Sequence, residues 1–281
     1  MLIHPQIHTL TVCYPVVFYR YNDYQRLMQS IQYNLLMGAD HFLIYVMRAG
    51  PEVTSLLQYY RAKGHMTILH MPDFPASRSW YFGQSVAIHD CHYRSRYSSR
   101  HIAMQDHDEY ILPLQHPSWL HMLEAVEKNA TQHDPDIAGK DVDVASFGFL
   151  HAFYCGNPMN ATEEEMFKSR LGATEAEYSF IQEQQVALFV EQHRLKHRKY
   201  PKRAKTIYRP QFVRYPGIHF PKELYYNSVT IVVNTSVAFL AHHRRTVEPG
   251  FFDLIVLPFY KEYLDVLASS LSSFEKYAKE I

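Results

Sequence analysis

Glycine is scarce in this chain, ten residues in 281, and neither G-x-G-x-x-G nor G-x-x-x-x-G-K-[ST] occurs. A glycine-rich phosphate cradle is therefore excluded, and any phosphate must be held by other means. There is no surplus of charge: 28 basic residues balance 28 acidic ones. No dominant field attracts nucleic acid or an anionic membrane, although local basic patches remain open. No apolar run reaches the roughly 18 residues of a membrane span, and Met1 to Val12 is interrupted by His4, Pro5, Gln6 and His8, so it is not a signal-peptide core. Any membrane anchor is expected outside these residues. Cysteine is limited to Cys13, Cys91 and Cys155, with no metal-site spacing. One disulfide plus one thiol, or three buried thiols, both fit. Internal repeats and low-complexity segments are lacking too.

Tyrosine and phenylalanine are plentiful, at 22 and 17, and the chain is long enough for a substantial α/β core. His8 to Phe18 reads as a strand. Asn22 or Asp23 caps a helix in which Tyr24, Leu27, Met28, Ile31, Leu35 and Leu36 recur at helical spacing, with Gly38 as its stop. His41 to Met47 is a second strand, Pro51 opens a second helix ending before Gly64, and Met66 to Met71 is a third strand. A third helix over about 79–93 leads into a fourth strand, His101 to Gln105. Strands alternating with helices predict a parallel, Rossmann-like sheet.

That fourth strand ends abruptly in Asp106, Asp108 and Glu109. In an open α/β sheet, ligands bind outside the carboxyl ends of strands. Carboxylates at i and i+2 of an extended segment point the same way, and such a pair suits a hard divalent cation with positions left for phosphate oxygens. A solvated turn is the plain alternative for two acids so spaced.

The second half is less regular. Helices are expected over about 117–129, 175–193 and 258–279, and strands over 142–154, 206–215, 228–233 and 236–242. The basic run from His193 to Lys205 reads as a solvated face or a loop that closes over a ligand. Asn129, Asn160 and Asn234 each begin an N-x-[ST] triplet.

The order of motifs resembles a known family. Val12-Cys13-Tyr14-Pro15, Gly38-Ala39-Asp40-His41-Phe42, Trp80 with Gln84, Asp90-Cys91 and Arg94, Asp106-x-Asp108-Glu109, Lys205-x-Ile207-x-Arg209-Pro210, Gly217-Ile218-His219 and Ala241-His242-His243-Arg244 follow one another. Together they resemble glycosyltransferase family 92, the domain-of-unknown-function group 23, and its nematode-type members in particular. One departure is visible: members commonly carry His-Tyr-Arg where this chain has His242-His243-Arg244, which bears on packing behind the site.

The resemblance implies a GT-A-type α/β fold, a mixed Rossmann-type sheet flanked by helices. A single domain would span 9–245, with a nucleotide-sugar lobe (about 9–113) and an acceptor-side lobe (about 114–245), followed by a helical extension (246–281). It implies an inverting galactosyltransferase using UDP-galactose and Mn²⁺ or another divalent cation. The product would be a β-1,4 linkage on a glycan acceptor, N-glycan core fucose in nematode members. It also implies a Golgi type II protein whose anchor lies outside this chain. Asp106, Asp108 and His242 are the expected metal ligands, with His219 ranked behind. Glu109 is a further catalytic candidate, and Lys205, Arg209 and Gln84 are candidates for the nucleotide. Gln84 and Arg94 are alternatively braces for the acidic loop, and Trp80 is expected in the core.

The general base is unassigned, with Glu163, Glu164, Glu165, Glu175, Glu177 and Glu183 in the segment where an acceptor would dock. Two rivals stand beside this reading: a binding protein of the same fold without turnover, and a metal-dependent hydrolase. Nothing in the residues sets an oligomeric state.

Overall fold

A computed structural model describes residues 7–73, 79–195, 204–245, 250–255 and 257–280. The elements are β1 (His8–Val17), α1 (Tyr24–Leu36), β2 (His41–Val46), α2 (Pro51–Ala62), β3 (Met66–His70), α3 (Gln84–Ser95), β4 (Ser99–Met104), β5 (Glu109–Pro113), α4 (Trp119–His133), β6 (Asp143–Cys155), α5 (Ala161–Leu171), α6 (Glu175–Glu183), α7 (Ala187–Val190), β7 (His193–Leu195), β8 (Ala204–Tyr208), β9 (Val213–Tyr215), β10 (Glu223–Leu224), β11 (Ser228–Val232), β12 (Ala238–Arg244), β13 (Gly250–Phe252) and α8 (Tyr260–Glu280).

The first half folds as its periodicity predicts. Asp23 accepts a hydrogen bond from the Arg26 amide and caps α1, and Gly38 leaves that helix at φ +102°, a conformation open to glycine. Strands β3, β2, β1 and β4 lie side by side and parallel. The sheet then changes sense, with β8 antiparallel to β4 and the long β6 antiparallel to β8. The outer half of β6 pairs in parallel with β12, whose other edge takes β5 in antiparallel register. This mixed sheet flanked by helices is the expected GT-A-type architecture, with the acidic turn between β4 and β5 at the carboxyl end of the parallel half.

One face of the sheet is covered by α1, α2 and α8. The opposite face carries a smaller core around α3, tied to β1 by a Cys13–Cys91 disulfide. Cys155 is buried, and its thiol donates to the His193 carbonyl. The last helix belongs to the main core. Tyr263, Leu264, Leu267, Leu271 and Phe274 are buried, and Tyr263 Oη donates to the Gln29 carbonyl at 3.0 Å. Within the helical extension expected over 246–281, α8 thus packs into the same core, because its apolar stripe covers α1.

Three other expectations change. The helix expected from residue 79 starts at Gln84, because Tyr81, Phe82 and Gly83 all take positive φ and no α-helix passes through them. The helix expected over 175–193 breaks after Glu183, where Gln185 also has positive φ. The strand expected over 206–215 is interrupted by a 3₁₀ turn at Pro210. Of the basic run, 196–203 lies outside the described residues.

His92 and His101 sit in the interior at 0 % and 2 % exposure. Burial, helped by Arg96 beside His92 and by Arg209 and Arg100 beside His101, lowers both pKa values to about 4. These values lie below the unfolded one near 6.5, so the unfolded chain binds more protons in between and stability is lost as pH falls through that window. The thermal midpoint is expected to drop between pH 6.5 and about 5, and His92→Phe/His101→Phe to flatten that slope. An equal slope in the double variant would clear these histidines of responsibility.

Candidate functional site

The acidic turn is closed from both sides. The Glu109 amide donates to the Asp106 carbonyl, and the Glu109 carboxylate turns back to accept from the Asp106 amide at 2.9 Å. Strand β12 then braces it: His243 N–H donates to the Asp108 carbonyl, and the β12–β5 register sets His242 opposite Glu109. On β6, Phe153 is the partner of His242 and His151 lies two residues before it, on the same face. Strand β8, beside β4, brings Lys205 to the turn.

The polar atoms converge closely. His242 Nε2 is 3.3 Å from Asp108 Oδ2, and its Nδ1 is 3.4 Å from Glu109 Oε1. His151 Nε2 is 3.2 Å from the same Glu109 oxygen. Lys205 Nζ bridges Asp106 at 2.9 Å and Glu109 at 3.0 Å. The side chains of Asp106 and Asp108 keep 29 % and 30 % exposure and face the cavity, whereas Glu109, at 2 %, stands behind them.

The local field follows from these contacts. Burial raises the pKa of Glu109, but Lys205 and His151 overrule it and hold this carboxyl below its usual range. Burial likewise opposes ionisation of Asp108, and the hydrogen bond and charge of His242 outweigh it. In return His242 is raised above 6.5, its desolvation more than offset by Asp108.

Glu109, His151 and His242 each offer a ligand atom within 4.8 Å of the others, and the Nδ1 atoms of both histidines are buried without a hydrogen bond. Asp108 adjoins His242. Carboxylate oxygens with imidazole nitrogens fit a divalent cation of the Mn²⁺ type. The expected trio is therefore brought together only in part. Asp108 and His242 meet, while Asp106 is drawn off to Lys205. His151 was missed, although it interrupts the inward-facing series Phe147, Phe149, Phe153 on a predicted strand.

These groups line a cavity of about 670 Å³ that is also lined by the end of β1 from Tyr14 and by Phe18 just after it. Gln84 lines it from the first turn of α3. His219 lines it too, with Nδ1 3.1 Å from the Ala204 carbonyl. Arg244 lies over the Phe153 ring at 4.7 Å. Trp80 corrects an expectation: it is 72 % exposed and, with Tyr81, edges this cavity, because the positive-φ turn swings both rings outward. Arg209 corrects another. Since β8 runs antiparallel to β4, Arg209 is carried away from the acidic turn, and its guanidinium forks onto Glu127 at 2.8 and 2.6 Å. Arg94 is likewise engaged by Asp90.

Residues 8–277 match the profile of glycosyltransferase family 92. The chain belongs to that family. The family match includes the last helix, in keeping with its place in the core. One relative, β-1,4-galactosyltransferase galt-1 of Caenorhabditis elegans, is 24 % identical over 110 residues, 38 % of this chain and 26 % of that protein. The alignment thus spans about a quarter of the relative. Similar solved structures include S. aureus TarS 1-349 in complex with UDP, at 15 % identity over 93 % of this chain and 64 % of that one, TM-score 0.41. Another is glucosyl-3-phosphoglycerate synthase from Mycobacterium tuberculosis with Mn²⁺, UDP and glucosyl-3-phosphoglycerate, at 9 % identity over 95 % and 80 %, TM-score 0.36.

Removing the buried cation should strand two carboxylates. Lys205→Met is expected to cost about 3–5 kcal/mol in urea denaturation, and Lys205→Met/Glu109→Gln to recover part of it. Equal stability of Lys205→Met and the parent would remove Lys205 as the counter-ion.

Proposed function

We propose that this chain is a metal-assisted inverting glycosyltransferase that moves galactose from UDP-galactose onto a glycan hydroxyl in β-1,4 linkage. The observation that carries the reading is the pairing of Asp108 with His242 at 3.3 Å on the wall of the large cavity, backed by Glu109 and His151. Asp108 and His242 would hold the cation, with Glu109 and His151 behind them. A divalent cation there would neutralise charge on the departing diphosphate.

The protein's own groups do the rest. Lys205 pairs with Asp106 and Glu109 and holds both in place. Both oxygens of Glu109 are engaged, which suits it to positioning and not to taking a proton. The flat faces of Trp80 and Tyr81 at the rim offer stacking surfaces for the nucleoside, with Gln84 as a polar partner in the same wall. Galactose as the sugar is supported by the name of the C. elegans relative.

The Golgi lumen is the proposed location. The Cys13–Cys91 disulfide suits an oxidising compartment, and Asn160 and Asn234 are exposed. No helix among the described residues is long and apolar enough to cross a membrane, and attachment would be through an anchor outside these residues. The even charge balance gives no reason to expect a nucleic-acid partner.

Incubation with Mn²⁺, UDP-galactose and a panel of glycans, followed by product analysis, tests the reading. Transfer is expected to vanish with chelator and to fall by about a hundredfold or more in Asp108→Asn, with melting unchanged. UDP with Mn²⁺ is expected to raise the thermal midpoint by several degrees. Wild-type rates in Asp108→Asn would sink the metal assignment. A UDP shift with no transfer to any glycan would favour a binding protein, and free sugar as sole product a hydrolase.

A further inference from the structure

We propose that a groove between α3 and the 216–222 loop is an acceptor subsite for the sugar units of a neutral glycan that lie beyond the one being modified. The proposal rests on the transferase reading above. The groove, of about 250 Å³, shares Ile218 and His219 with the large cavity and leaves it alongside Ser85 of the first turn of α3. A nucleotide sugar has a fixed length, and a cavity of about 670 Å³ falls in the size range of enclosed small-molecule sites. An oligosaccharide must trail out of such a cavity, and the groove borders it through Ile218 and His219.

Next to its lining residues His89 and Lys222 stand two tyrosines with the chemistry of a sugar-binding surface. Tyr215 and Tyr93 are 41 % and 49 % exposed, yet both rings are held in place. Tyr215 meets His89 edge-on at 4.6 Å and carries Lys222 Nζ at 5.3 Å, while Tyr93 Oη donates to the Arg214 carbonyl. Fixed aromatic faces with polar tips give contact area at little entropic cost and suit the apolar faces and hydroxyls of sugars.

None of the described lining residues is acidic, and the one ammonium, on Lys222, sits over Tyr215. A cationic ligand therefore finds no counter-charge, and a phosphate finds no cluster of cations. The loop itself is tight: a Cβ on Gly217 would lie 2.2 Å from the Phe220 carbonyl oxygen. Only glycine allows that approach, and the resulting turn places Ile218 and His219 in the wall common to both spaces.

The test presents immobilised N-glycan oligosaccharides and matching monosaccharide glycosides to the protein with UDP and Mn²⁺, beside a separate UDP thermal shift. The parent is expected to retain oligosaccharides over monosaccharides. Tyr93→Ala/Tyr215→Ala should weaken that retention about tenfold with melting and UDP shift unchanged, and Tyr215→Trp should preserve it. The proposal is overturned if the parent retains no oligosaccharide, if the double variant retains them equally well, or if the UDP shift is lost together with glycan retention. Oligosaccharide retention that depends on the tyrosines in a parent showing no UDP shift would count against the transferase reading while upholding the groove.

Discussion

Three carboxylates within four residues, Asp106, Asp108 and Glu109, are folded against the wall of a cavity, and this is tolerable only because basic partners are delivered to them. Desolvating an unpaired carboxylate costs several kcal/mol. Neither compensating group comes from the parallel half that bears the acids: Lys205 arrives on β8 and His242 on β12. The reversal of strand direction after β4 thus has an electrostatic reason. A chain that continued in parallel would cover the turn with helices; one that doubles back brings side chains of opposite charge across it.

The same requirement explains what was legible in the residues and what was not. The parallel half could be read because its helices and strands carry unambiguous periods and stop signals, such as Asp23, Gly38 and Pro51. The acidic triplet and His242 stood out as local chemistry. Lys205 was identified as part of the site, yet its partners are the site's own acids, since a pairing across 99 residues leaves no local trace. Arg209, four residues along the same segment, carries the same charge as Lys205. The antiparallel direction of β8 separates them, and direction cannot be read from one strand. His151 was hidden because a single histidine in an apolar alternation is ordinarily packing. Helix α5 had a readable signal that was passed over, the reciprocal Asn160 and Glu163 capping box.

Behind the acidic turn lies a second buried ion pair. Arg26 forks onto Glu191 at 2.9 and 3.1 Å and also donates to the His243 carbonyl at 2.7 Å. His243 stacks on Tyr154, ring centres 5.3 Å apart and ring planes nearly parallel, and meets Tyr110 edge-on. The imidazole therefore packs in the interior as a flat aromatic ring. Its Nδ1 lies 3.4 Å from Glu191. Burial nonetheless lowers its pKa, and His243 and Arg26 together hold the Glu191 carboxyl below its usual range.

His242 and His243 are adjacent on one strand and so point to opposite faces, one toward the cavity and the other toward Tyr154. Sliding β12 by one position would exchange them, and an imidazole would still meet the acids. The pair of histidines thus cannot proofread its own alignment. That task falls to Ala238, Leu240 and Ala241, all buried in the interior, and to the amide of His243 donating to the Asp108 carbonyl. The chemistry of the centre is in this sense guarded by residues that take no part in it.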